Sequence, residues 1–198
     1  MDWSTILSFS AFAFVAAFTP GPNNIMLAAS GANFGFRASL PHILGICIGF
    51  CLLVAAAGYG LAGLFATFPS LYDVLKILSL VFLVHLAWRI GSSDKADTRH
   101  RDRPLRFWQA ASFQLVNPKG ISVIISSVTA YTSDAAAVGE EMFVLLVVFA
   151  ATTAGSTCAW TIFGVFIRRF LHQGQRLRIF NIAMASLLLA SLAPIFAA

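Results

Sequence analysis

FTPGPNN, residues 18–24, places two prolines, a glycine and two asparagines inside an apolar run that begins at Trp3 and meets no charge before Arg37. Proline carries no amide donor and pushes the residue before it out of the helical region, so Pro20 and Pro22 open the backbone around Thr19 and Gly21. Backbone groups released this way cannot face hydrocarbon, where each unsatisfied group costs several kcal/mol. They must face protein or a watery cavity. Asn23 and Asn24 bring side-chain donors and acceptors to the same level. A lone proline would read as a kink relieved by neighbouring helices; PGPNN as a unit reads as an opened helix.

The surrounding composition fixes the class. The chain is 59% hydrophobic and 11% charged, with a mean hydropathy of +0.83, whereas soluble domains carry roughly 25% charged residues. We expect an all-α integral membrane protein. Membrane strands alternate apolar and polar positions, and runs such as FVLLVVFA, residues 143–150, do not. A crossing takes about 20 apolar residues. The 198 residues therefore read as a single membrane domain of six transmembrane helices: from Trp3 to Ser30, Ala38 to Phe65, Leu71 to Ile90, Phe107 to Thr132, Met142 to Ile167, and Ile179 to the C-terminus. Asp2 stands where a signal peptide would carry positive charge, so the first span is expected to stay.

A second interruption repeats the first. LVNPKG, residues 115–120, again sets asparagine, proline and glycine in an apolar run, and Lys119 is the one charge between Phe107 and Ser133. Pro20 and Pro118 lie about half a chain apart. Each half, about 1–92 and about 105–198 around a basic loop at about 91–106, then holds three helices with the break in its first. An odd helix count inserts the halves in opposite senses, giving a 3+3 inverted repeat with helices 1 and 4 interrupted. Broken helices at matching positions point to a transporter's midplane binding site. The candidate substrate-binding residues are Pro20, Gly21, Pro22, Asn23, Asn24, Asn117, Pro118 and Lys119. A lysine near the bilayer centre costs on the order of 2.5–3.5 kcal/mol on insertion scales. With no acid deep in any span to pair it, a substrate carboxylate or backbone carbonyls must.

Charge placement orients the six spans. Eleven of the thirteen Lys and Arg fall on one side, at Arg37, Arg89, Lys95, Arg99, Arg101, Arg103, Arg106, Arg168, Arg169, Arg176 and Arg178. Lys76 and most acids, Asp2, Asp73, Asp134, Glu140 and Glu141, fall on the other. The positive-inside rule puts both termini outside. The net charge of +5 and pI near 9.6 need no partner beyond anionic lipid. RHRDRPLR, residues 99–106, lacks the aromatic stacking surface of a nucleic-acid site.

Cys47, Cys51 and Cys158 lie inside spans. Cys47 and Cys51 share a helix face, yet no His or carboxylate accompanies them, and small core side chains explain them better than a metal site. His42 and His85 read as interfacial or helix-bonded rather than as proton carriers. Gly45 and Gly49, in GICIG, have the spacing that lets two helix backbones approach closely. That spacing leaves open whether they pack within one chain or in a homo-oligomer. No nucleophile, base or metal-ligand spacing marks an enzyme, and no cofactor is implied.

TPGPNN in the first helix, GFR at 35–37, LK…WR from Leu75 to Arg89 and VNPK in the fourth helix together resemble the LysE/RhtB family of bacterial amino-acid exporters, over essentially the whole chain. PGPNNI, GFR and FW…FQLVN are most similar to its cysteine and O-acetylserine branch. The family's third-helix Gly and Tyr are replaced here by Ser79 and Phe82, so no role of that tyrosine carries over. The resemblance implies a multi-pass protein of the bacterial inner membrane that exports a small amino acid or derivative by proton antiport. A cationic amino-acid exporter of the same family is the alternative, ahead of a membrane enzyme or assembly protein. Asp73, three residues before Lys76, is the best acid available for coupling.

Overall fold

The computed structural model describes residues 1–58, 67, 69–92, 103–132, 138–171 and 174–191. Among them the secondary structure is entirely helical: α1 (Trp3–Phe18), α2 (Pro22–Phe34), α3 (Phe36–Ala56), α4 (Pro69–Gly91), α5 (Phe107–Gln114), α6 (Pro118–Tyr131), α7 (Val138–Arg168) and α8 (Gly174–Ala190). Lys95, Arg99, Arg101 and Asp134, used above to orient the chain, lie outside the described residues, as do the side chains of Asp73 and Lys76 on α4.

Both sequence breaks are breaks in helix. α1 and α2 are bent by 52° at their junction. α5 ends at Gln114, and after three intervening residues α6 starts with Pro118 in its first turn, the position where a missing amide does no harm. α1 starts sharply for a local reason: the Asp2 carboxylate accepts the Thr5 amide at 3.0 Å and the Ser4 hydroxyl at 2.9 Å. These bonds, that to Thr5 first, hold the Asp2 carboxyl below the ordinary carboxylate range.

Two described helices, Phe36–Ala56 and Gly139–Arg168, are long and apolar enough to cross a bilayer, and the bent α1/α2 pair makes a third. α4 contributes a shorter apolar stretch, Ile77–Gly91. Side-chain periodicity in α3 shows what surrounds it. Ser39, His42, Ile43, Ile46, Phe50 and Leu53 are buried, while Leu40, Leu44, Ile48 and Leu52 form an exposed apolar stripe at i, i+4 spacing. Val74, Ile77, Leu78, Val81 and Val84 on α4 and Phe143, Val147, Ile162, Phe163 and Phe166 on α7 extend the apolar outer surface. Such a belt suits lipid. Exposed Trp88 and Trp108 adjoin Arg89 and Arg106, as amphipathic rings do at a membrane interface.

α2 is the central element. From Asn24 to Ala32 every residue is buried, because α3, α7 and α8 pack around it. The α2–α7 crossing is close: a Cβ on Gly164 would meet the Ala28 carbonyl and sit 2.9 Å from Ala32 N, and one on Gly31 would meet the Thr161 carbonyl. Gly45 and Gly49 pack within the chain, where a Cβ on Gly49 would lie 2.7 Å from the Ala111 carbonyl of α5. The GICIG spacing thus serves α3 against α5.

Candidate functional site

The two breaks meet. Gly21, Pro22, Asn23 and Asn24 from the first and Asn117, Lys119 and Gly120 from the second line one cavity of about 70 Å³, closed by α1, α3 and α7. That is room for several waters or a small polar solute. Phe50 and Phe149, which also line it, stack edge to face with centroids 5.5 Å apart and join a buried apolar cluster with Phe9, Ile121 and Ile124.

The proline break releases carbonyls at the end of α1, and those of Ala17, Phe18 and Thr19 find partners. Gly21 would have bonded Ala17 in a continuous helix. Instead the Ala17 carbonyl accepts Asn24 Nδ2 at 2.8 Å and Ser156 Oγ at 2.7 Å. Pro22 cannot reach back to Phe18, whose carbonyl accepts Trp160 Nε1 at 3.3 Å. The Thr19 carbonyl accepts Asn24 Nδ2 at 2.9 Å and Lys119 Nζ at 2.7 Å. Side chains from α2, α6 and α7 therefore replace the helix's own bonds, as the absence of water in hydrocarbon demands.

An amide knot holds the two breaks together. Asn23 Nδ2 donates to Gln114 Oε1 at 2.8 Å, and Gln114 Nε2 donates back to Asn23 Oδ1 at 3.2 Å and to the Ala110 carbonyl at 2.8 Å. Asn117 Nδ2 reaches the same Gln114 Oε1 at 3.4 Å. Asn117 borders the cavity, and its Oδ1 is buried with no partner among the described residues. It is an acceptor waiting for a donor.

The electrostatics favour an anion beside Lys119. α2 and α6 both start at the cavity, with Pro22 and Pro118 in their first turns and no side chain capping either start. The first amides of a helix have no partner within it, and the helix dipole places partial positive charge there. Two such ends converge with one ammonium group, and among the described residues no Asp or Glu lines the cavity. Lys119 keeps further N–H donors beyond the one given to Thr19. Gly21 makes this position accessible to it, since a Cβ there would lie 2.7 Å from Lys119 Cδ; its φ of −170° is extended and asks nothing special of the residue. The space does.

Of the residues singled out from sequence, Gly21, Pro22, Asn23, Asn24, Asn117 and Lys119 line the cavity. Pro20 is exposed and Pro118 is half-buried, and both act by ending or starting a helix. Gln114, Thr153, Ser156, Thr157 and Trp160 were not singled out. Thr153, Thr157 and Thr161, at i, i+4 spacing in an apolar span, were the available signal for a polar face on α7. His42 departs from the expected interfacial or helix-bonded role: it is 1% exposed and neither ring nitrogen has a partner. Cys47 Sγ lies 3.6 Å from Thr157 Oγ1, so its neighbour is a hydroxyl.

Fold and cavity together define a helical membrane protein in which two broken segments bring a lysine, three asparagines and two helix starts to one largely apolar cavity. Residues 14–197 match the LysE type translocator family, and the chain belongs to that family. It is 31% identical over 197 residues to a cysteine/O-acetylserine efflux protein of Salmonella paratyphi A, covering 96% of each chain. It is also 31% identical over 201 residues to a protein of the same description from Escherichia coli O1:K1, covering 97% of this chain and 98% of that one. No solved structure matches it.

Proposed function

We propose that this translocator exports a small amino acid with an uncharged side chain, of the cysteine, O-acetylserine or homoserine kind, and that the cavity between the two breaks is where it binds. The observation that carries this is the convergence of Lys119, two uncapped helix starts and the orphan Asn117 Oδ1 on one chamber without a carboxylate. Lys119 and the helix starts take the substrate carboxylate; Asn117 Oδ1 takes a proton of its ammonium group. A cationic side chain would need an acid that the chamber lacks. The relatives' efflux of cysteine and O-acetylserine fits a ligand of this size and charge.

The export cycle follows from the architecture we infer: six spans in an inner membrane, both termini outside, and two inverted halves of about 1–92 and about 105–198 rocking about the site. Support comes from the matching breaks at Pro20/Pro22 and Pro118 and from the packing of α3 on α5 and α7 on α1, which exchanges equivalent helices between halves. Proton entry is the driving reaction. One charge through about 100 mV supplies about 2.3 kcal/mol, roughly a 50-fold gradient. Asp73 is the coupling acid on this reading, with Lys76 beside it in sequence.

Proteoliposomes holding the purified chain test the proposal. With an inward proton gradient, initial efflux should be fastest for O-acetylserine, cysteine, serine or homoserine across a panel that includes lysine and arginine. Equal efflux of lysine or arginine overturns the assignment of substrate.

A further inference from the structure

A second cavity lies at the far end of α2. Its volume is about 50 Å³, and its polar lining comprises Ser30, Asn33, His42, Arg89 and Arg103. Gly21 to Asn24 line the first chamber and Met26 to Phe34 of α2 contribute to the second, so the two are centred roughly eight residues apart along the helix, about 12 Å of rise. Ile46 lines the first cavity and Met26 the second, and both belong to one buried apolar cluster with Ile25, Leu27 and Ile43. That cluster stands between the chambers.

His42 is the unexplained group there. Burying an imidazole without hydrogen bonds is unfavourable, yet both of its nitrogens are buried with no partner among the described residues, and the residue borders the cavity. The neighbouring polar groups are engaged within the protein: Asn33 and Asn181 exchange amide bonds at 2.8 and 3.2 Å, Ser30 Oγ accepts from Ser39 Oγ at 3.1 Å, and Arg89 has a protein partner that a ligand would share with it. A neutral imidazole offers one donor and one acceptor, and a guanidinium offers a planar fork that matches a carboxylate. One donor, one acceptor and two guanidinium groups are complementary to a zwitterion.

We propose that this cavity is a second binding site for a small amino-acid zwitterion, an access site on the basic face of the protein, with Arg89 and Arg103 on the carboxylate and His42 on the ammonium group. The nature of the ligand rests on the export reading above. Substrate arriving from the arginine-rich side would be held here first, then pass the Met26–Ile46 partition to reach Lys119.

Equilibrium binding of labelled O-acetylserine to the full-length chain in nanodiscs, paired with initial export rates from proteoliposomes, tests this. The wild type should bind two equivalents and Lys119→Met one. Arg103 is exposed, so Arg103→Gln leaves the core untouched; it should also bind one equivalent and raise the KM for export about tenfold with little change in maximal rate. His42→Leu should shift KM the same way while thermal stability is kept or raised, because a buried unsatisfied group is removed. A purely structural histidine would move stability and leave KM alone. A single wild-type equivalent that is lost in Lys119→Met and kept in Arg103→Gln overturns the second site and leaves the export reading standing; no binding by the wild type overturns both.

Discussion

Lys119 Nζ donates to the Thr19 carbonyl at 2.7 Å, so the cation of the second break rests on a carbonyl released by the first. The two residues are 100 positions apart in the chain. The ammonium group has three donors and gives one to this carbonyl, so a substrate carboxylate bound as proposed would share it with Thr19. If the substrate binds as proposed, the contact couples occupancy of the cavity to the packing of the two breaks.

Lys119→Met tests that coupling most directly. A hydrogen bond to a charged group is worth about 1.5–3 kcal/mol, so export should fall by about 10- to 150-fold. Membrane abundance should hold or improve, since a half-buried charge leaves the span. Protein abundance and initial efflux measured on the same membranes separate the two effects. Normal export by a well-folded variant removes Lys119 from the site.

Gly21→Ala should act on the same lysine from the other side. The new methyl would fall 2.7 Å from Lys119 Cδ, and the side chain can yield only by giving up its reach to Thr19. We expect substrate binding weakened with folding largely retained, read as a raised KM in vesicles. Replacing Pro20 and Pro22 together with Ala should do more, because a continuous helix would recover the Ala17 and Phe18 carbonyls and close the gap at Gly21.

Gln114→Leu should damage stability before it damages chemistry. Gln114 is fully buried and holds Asn23 and Asn117 across the breaks. Leaving the Asn23 amide unsatisfied costs about 1–3 kcal/mol, visible as a lowered melting temperature in detergent. A variant as stable as the wild type would show that the knot contributes nothing.

Topology is open to a chemical test. Single cysteines placed at Asp2 and Ala198, in a background lacking Cys47, Cys51 and Cys158, should both react with an impermeant thiol label added outside the cell. Protection of either terminus contradicts the orientation inferred from the arginine distribution.

Coupling can be assigned by proton flux. Asp73→Asn should leave substrate binding intact and abolish proton entry coupled to export. Glu141, which is buried in the first turn of α7 and was grouped from sequence with the outer acids, is the control. If Glu141→Gln uncouples transport and Asp73→Asn does not, the coupling acid is on α7.

The sequence by itself determined the class and the location of the breaks, because both follow from local chemistry. Apolar runs with few charges must sit in lipid, and proline ends helices wherever it falls. It also marked Asn23, Asn24, Asn117 and Lys119, since polar residues in an apolar span stand out without any fold. What only the tertiary structure decided was which groups answer one another. The carbonyls of Ala17, Phe18 and Thr19 take partners from α2, α6 and α7, and those pairings depend on close helix crossings such as that at Gly31 and Gly164, which no local pattern encodes. The same holds for Gln114, ordinary within its own helix and central once α5 lies beside α2, and for His42, whose isolation is a property of its neighbours. Local sequence sets where backbone groups are released; only the three-dimensional packing sets what satisfies them, and a binding site is made of the ones left over.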